Sequence, residues 1–121
     1  MKKIALLLTG ILALSGCNQK QIPELSVEEK KGIVRDARDL LNKYTVDQVF
    51  EIEESEWPES FLKLEPVVVR RYGDGIGILR KKFVSSESGL FVPIPNHTPE
   101  NTQVSGFEEI GEDLYYYWIS G

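Results

Sequence analysis

Residues 67 to 83 read Val67-Val68-Val69-Arg70-Arg71-Tyr72-Gly73-Asp74-Gly75-Ile76-Gly77-Ile78-Leu79-Arg80-Lys81-Lys82-Phe83, and no other stretch limits the fold as tightly. A β-branched run, a Gly-Asp-Gly turn and a returning apolar run predict two antiparallel strands. Pairing about Gly73-Asp74 sets Val69 opposite Ile78 and Val68 opposite Leu79. A slip of one residue would set Val69 against Arg80, so the first register is expected. Gly73-Asp74-Gly75-Ile76-Gly77 also has the glycine content of a phosphate loop. Such loops open a helix, whereas β-rich sequence follows here, which favours the hairpin turn.

Around this hairpin the period changes. Ser26-Val27-Glu28-Glu29 has the form of a capping box, in which Ser26 and Glu29 satisfy orphan N–H groups at a helix start. Ile33, Val34, Ala37, Leu40, Leu41 and Tyr44 then recur at helical spacing, predicting an amphipathic helix over about Val27 to Tyr44. Phe50-Glu51-Ile52 alternates and permits a short strand. Pro58 to Leu64 predicts a short helix that opens on Pro58 and is stopped by Pro66. Ser85 to Ser88 is read as a loop, Gly89 to Ile94 as a strand that Pro93 drives toward an edge, and Pro95 to Gly106 as a long loop. Phe107 to Ile110 and Leu114 to Ile119 can close a last hairpin about Gly111-Glu112-Asp113. The expectation is α+β: one N-terminal amphipathic helix packed on a small antiparallel β-sheet of about four to six strands.

The 121-residue chain holds one cysteine, Cys17, and it stands directly behind an apolar run. Met1-Lys2-Lys3 precedes Ile4-Ala5-Leu6-Leu7-Leu8-Thr9-Gly10-Ile11-Leu12-Ala13-Leu14, the basic head and apolar stretch of an export signal. That stretch is shorter than the roughly 20 residues a spanning helix needs. Leu14-Ser15-Gly16-Cys17 resembles the lipobox of bacterial lipoproteins. The resemblance implies cleavage between Gly16 and Cys17, a diacylglycerol thioether and added acyl (palmitate-type) chains on Cys17, and attachment to a lipid bilayer through that residue. Asn18 stands where Asp would favour inner-membrane retention, so the implied place is the outer membrane, facing the periplasm. In a Gram-positive source it would be the outer face of the cell membrane. One acyl chain binds only marginally, and two or three make the attachment lasting.

The domains expected are therefore a signal peptide over 1–16, a lipidated cysteine and tether over 17–25, and a single α+β domain over 26–121. Lys2 and Lys3 leave with the signal, so two of 14 basic residues are lost and 12 face 19 acidic ones, a net charge near −7. That acidity disfavours nucleic acid and anionic lipid headgroups as partners.

No catalytic constellation stands out, and no cofactor is expected. His97, in Pro95-Asn96-His97-Thr98-Pro99, lies in a proline-flanked loop without a nucleophile motif beside it. One histidine and no free thiol are too few soft ligands for zinc. Glu51, Glu53, Glu54, Glu56 and Glu59 supply oxygens without the spacing of a calcium loop, and a charge run is usually a solvated face. The segment from Trp57-Pro58-Glu59-Ser60-Phe61-Leu62-Lys63-Leu64-Glu65-Pro66 into Gly75-Ile76-Gly77-Ile78 resembles one found in small uncharacterised bacterial proteins. That resemblance implies an architectural role, with Trp57 and Leu64 clamping the short helix to the sheet.

The aromatic strand carries the functional expectation. Leu114, Tyr116 and Trp118 point one way, and Tyr115, Tyr117 and Ile119 the other. One set should meet the helix, leaving the other to a loop, a partner or solvent. Tyr and Trp combine apolar area with a polar tip and are favoured at interfaces. The candidate partner-binding residues are Tyr115, Tyr116, Tyr117, Trp118 and Trp57, in an anchored, non-enzymatic module that binds another envelope component. The alternatives are an immunity- or inhibitor-type lipoprotein acting through its acidic stretch, and a small hydrolase.

Overall fold

The computed structural model describes residues 23–45, 49–83 and 86–120, without the side chains of 81–83. The signal segment, Gly16, Cys17 and the tether up to residue 22 lie outside the described residues. Helix α1 (Val27–Lys43) begins at the expected cap: the Ser26 hydroxyl accepts from the Glu29 N–H, and the Glu29 carboxylate accepts from the Ser26 N–H. These bonds, the backbone one first, hold the Glu29 carboxyl below its ordinary range. The helix buries Ile33, Ala37, Leu40 and Leu41 along one stripe. Leu25 already packs against the core, so the folded body takes in the end of the expected tether.

After α1 come β1 (Phe50–Ile52), a single 3₁₀ turn over Glu54–Glu56 and the short helix α2 (Glu59–Leu62). Pro58 caps α2 from just outside it, rather than standing in its first turn. Its extended ψ of 158° fits that place, and its carbonyl accepts from the Phe61 and Leu62 N–H groups. Strands β2 (Val68–Tyr72), β3 (Gly75–Phe83), β4 (Ser86–Pro93), β5 (Ser105–Gly111) and β6 (Leu114–Ser120) complete the chain. The fold is α+β, with α1 packed on a six-stranded antiparallel sheet.

The β2–β3 register sets Val69 against Ile78 and Val68 against Leu79, as the apolar pairing requires. Strand β4 starts at Ser86, inside the stretch expected as a loop. Ser86, Glu87 and Ser88 pair with Phe83, Lys82 and Lys81 beyond a bulge at Arg80. Backbone pairing on both sides holds this polar segment in the sheet, which composition does not report. The order is β1-β2-β3-β4-β6-β5, so β6 is inserted between β4 and β5 and is interior.

Because side chains alternate along each strand, the sheet has two unlike faces. Val69, Ile76, Ile78, Leu90, Val92 and Leu114 meet the stripe of α1, together with Phe61 and Leu64 from the α2 region. Leu79, Phe91 and Tyr117 form a second buried cluster on the other face, flanked by Val68, Tyr72, Phe107, Tyr115 and Ile119. Among the described residues, neither helix contributes to that second cluster.

Candidate functional site

The second face is built from rings laid on glycines. In β3, Gly75 and Gly77 stand beneath it, and a Cβ at either would strike an aromatic side chain. At Gly75 it would lie 2.5 Å from Phe91 Cζ, and at Gly77 2.7 Å from Tyr72 Cε2. The absence of these two side chains is what lets the rings lie close to the backbone. Phe91 sits at the centre, with ring centroids 5.3 Å from Phe107, 6.1 Å from Tyr117 and 6.2 Å from Tyr72. Phe107 stacks on Tyr117 at 6.1 Å and meets Tyr115 edge-on at 6.4 Å. Phe91 and Tyr117 are 3% and 2% exposed, although among the described residues no helix contributes to their cluster. Tyr72, Phe107, Tyr115, Val68 and Ile119 remain half-buried and form the outer surface of the patch.

One side of the patch is charged. Arg70, from β2, has an Nη1 2.9 Å from Glu87 Oε1 in β4 and an Nη2 3.8 Å from Glu51 Oε2 in β1. The hydrogen bond with the Tyr72 side chain, and then Glu87, hold the guanidinium even more firmly charged than usual. Burial first, and the neighbouring Tyr72 next, push the Tyr117 hydroxyl well above its ordinary range. Tyr115 is raised as well, by burial and by the carboxylates of Glu109 and Asp113. The arrangement offers broad apolar rings, phenol hydroxyls and a fixed Arg–Glu pair, and these groups suit binding.

The structure divides the sequence-predicted residues. Tyr115 and Tyr117 join the ring patch, Tyr117 as its buried base and Tyr115 at its surface. Tyr116 and Trp118 lie on the helix-facing side, their rings 5.9 Å apart, with Trp118 lying over Gly106. Trp57 is also apart from the patch. Its indole N–H donates to the Ile52 carbonyl at 2.8 Å and its ring packs against the main core. The five residues therefore do not make one site. Sequence reasoning missed Tyr72, Phe91 and Phe107. No local signal reports them, since each reaches the face of Tyr117 only through the register and the strand order.

His97 Nε2 is 3.4 Å from Asp74 Oδ2 and, with the Ile94 N–H donating to the Asp74 carbonyl at 2.9 Å, ties its loop to the β2–β3 turn. It lines a polar cleft of about 380 Å³ with Arg38, Asn96, Thr98, Asp113 and Tyr115, and no glutamate lines that cleft. In the acidic stretch, Glu56 is tied to Lys43 and to the Tyr44 hydroxyl, which hold its carboxyl below the ordinary range. Glu53, Glu54 and Glu59 are exposed. Among the described residues no group of three or more His, Cys, Asp or Glu side chains is placed to hold a metal ion. Nor is any described helix long and apolar enough to cross a membrane. Among the arginines of the β2–β3 hairpin, Arg71 is buried on the helix side, bonded to the carbonyls of Tyr44 (2.7 Å) and Tyr72. Arg80 Nε donates to the Leu64 carbonyl at 3.2 Å.

Comparison with known protein families, characterised proteins and solved structures finds no match to this chain.

Proposed function

We propose that this chain is a lipoprotein held at a membrane through acylated Cys17, and that it acts as a non-enzymatic binding module for another envelope component. The partner seats on the ring patch, against Tyr72, Phe107 and Tyr115, with Arg70 and Glu87 at its border. One observation carries this reading: an aromatic sheet face over which, among the described residues, no helix lies. Half-exposed Tyr and Phe rings set beside a fixed charge pair are the composition of an interface centre and its rim. The anchor rests on the resemblance of Leu14-Ser15-Gly16-Cys17 to a lipobox.

The two halves of the proposal are tested separately. Cells expressing the full chain and a Cys17→Ser variant are labelled with a clickable palmitate analogue. Label on the wild type alone supports the anchor, and no label on either overturns it. The full chain is then used to capture partners from solubilised envelopes, beside a Phe107→Ser/Tyr115→Ser variant. A drop of about tenfold in capture of one partner, the equivalent of 1.4 kcal/mol, with folding retained, supports the face. Equal capture by both chains overturns it.

A further inference from the structure

The outer edge of β5 is occupied in a specific way. The Ser120 N–H donates to the Val104 carbonyl at 2.7 Å, and the β5–β6 register pairs Gly106 with Trp118 and Glu108 with Tyr116. In an antiparallel ladder this alternation turns the Val104 carbonyl and the backbone groups of Gly106 and Glu108 toward β6. Those of Ser105, Phe107 and Glu109 face outward, away from the sheet. Such a row is a template for another strand.

The preceding turn takes up the first half of that row, both backbone groups of Ser105 and the N–H of Phe107. Asn101 Oδ1 accepts from the Phe107 N–H at 2.7 Å. Thr102 meets Ser105 on both sides: its Oγ1 accepts from the Ser105 N–H at 3.0 Å, and its N–H donates to the Ser105 carbonyl at 2.8 Å. The two hydroxyls lie 2.8 Å apart, and Thr102 Oγ1 also accepts from the Val104 N–H at 3.2 Å. The opposite edge of the sheet is closed by another device, since β1 is only three residues long.

We infer that the turn from Asn101 to Ser105 is an edge guard, occupying the first half of the β5 row that would otherwise pair with β5 of a second copy of this chain. The second copy is the occupant the strand itself specifies. A two-fold axis at Phe107 sets ring against ring and pairs Ser105 with Glu109, so no carboxylate faces its own copy. Cross-strand aromatic pairs stabilise a sheet, and like charges directly opposite would oppose it. Pairing there would also run the two ring patches together as one surface. The inference depends on neither the anchor nor the binding role of the patch, but anchoring would make the guard more necessary, by concentrating copies on one surface.

Hydrogen exchange and sedimentation of the full chain test it. In the wild type, the amides of Ser105 and Phe107 should exchange slowly and the chain should sediment as a monomer. Rapid exchange at both, or a wild-type dimer with β5 at its interface, overturns the inference. In an Asn101→Ala/Thr102→Ala variant these two amides should exchange at least about tenfold faster in the monomer. That variant should also form dimers as concentration rises. Adding Glu109→Pro, which removes an outward donor together with the carboxylate near Tyr115 and blocks strand addition, should restore the monomer. A folded variant that stays monomeric at its highest soluble concentration overturns the guard, as do dimers that survive the proline. If the variant fails to fold, the wild-type exchange rates decide.

Discussion

The two faces of the sheet exclude water by different means. On one face a helix does it: Ile33, Ala37, Leu40 and Leu41 settle onto Val69, Ile76, Ile78, Leu90 and Val92, branched side chains on both sides. On the other, aromatic rings close over their own sheet, with Phe91 and Tyr117 lying under Tyr72, Phe107 and Tyr115. The difference teaches that, among the described residues, large rings beside glycines bury one another on a sheet face to which neither helix contributes. Glycine at Gly75 and Gly77 gives the rings of Phe91 and Tyr72 room to come close to the backbone, and the rings pack on one another edge-on or stacked. Such a lid is one side chain thick, so its outer surface stays apolar and half-exposed.

The largest expected effect tests whether the ring-covered face is a true core. Phe91→Ala should destabilise by about 3–5 kcal/mol, as much as Phe61→Ala on the helix side, since both rings are nearly inaccessible. Urea unfolding of both variants measures this. A cost at Phe91 below about 1 kcal/mol would break the equivalence and make the patch a surface decoration. Next comes Arg71→Leu, expected to cost about 2–3 kcal/mol. It strips two carbonyls, those of Tyr44 and Tyr72, of their donor inside the helix-side core. A neutral result by the same measurement would mean that the released carbonyls find water.

A third effect appears only in alkali and separates the faces chemically. The folded Tyr117 hydroxyl titrates above its ordinary value of 10.0, because burial disfavours the phenolate. An unfolded chain would ionise there from about pH 10, while the folded one stays neutral. Stability is therefore full below pH 10 and falls as the pH rises toward the folded value, by up to about 1.4 kcal/mol per pH unit. Tyr117→Phe should flatten that limb in melting curves taken from pH 8 to 11. An unchanged limb would place the sensitivity elsewhere. Ser26→Ala, at the start of α1, should cost about 1 kcal/mol by loss of the cap. It calibrates how much a purely local contact contributes.

The helix-side face was almost entirely legible in the sequence, and the reason is periodicity. The stripe from Ile33 to Leu41 and the Val69–Ile78 pairing each follow from spacing over a few residues, because neighbours in the chain are neighbours in the core. The ring patch was legible only in part. Tyr115 and Tyr117 announce themselves as alternating bulky residues on β6. Tyr72, Phe91 and Phe107 reach them through β2, β4 and β5, and that requires the strand order. The order departs from a simple meander where β6 inserts between β4 and β5. No local pattern reports that insertion. Sorting Tyr116 and Trp118 from Tyr115 and Tyr117 followed from alternation, but which pair would meet the helix did not. Glu87 was hidden for a further reason: a polar segment between two serines reads as a loop until its pairing on both sides is known.

The smallest expected effect is the one that most sharpens the contrast. Tyr115 lies at the outer surface of the patch, half-exposed, touching Phe107 edge-on. If the rings divide into a buried base and a presented surface, Tyr115→Ser should cost less than about 1 kcal/mol, an ordinary surface value. Its raised pKa, due to burial and to Glu109 and Asp113, would disappear with it from the alkaline titration. Tyr116, its neighbour in β6 on the helix-facing side, should behave otherwise, because it is 4% exposed. Tyr116→Ser should cost at least about 2 kcal/mol more. Measured side by side in urea, the two adjacent tyrosines become a direct reading of the faces they point to. Equal costs would mean that the patch has no presented surface, and that the partner proposed for it has nowhere to sit.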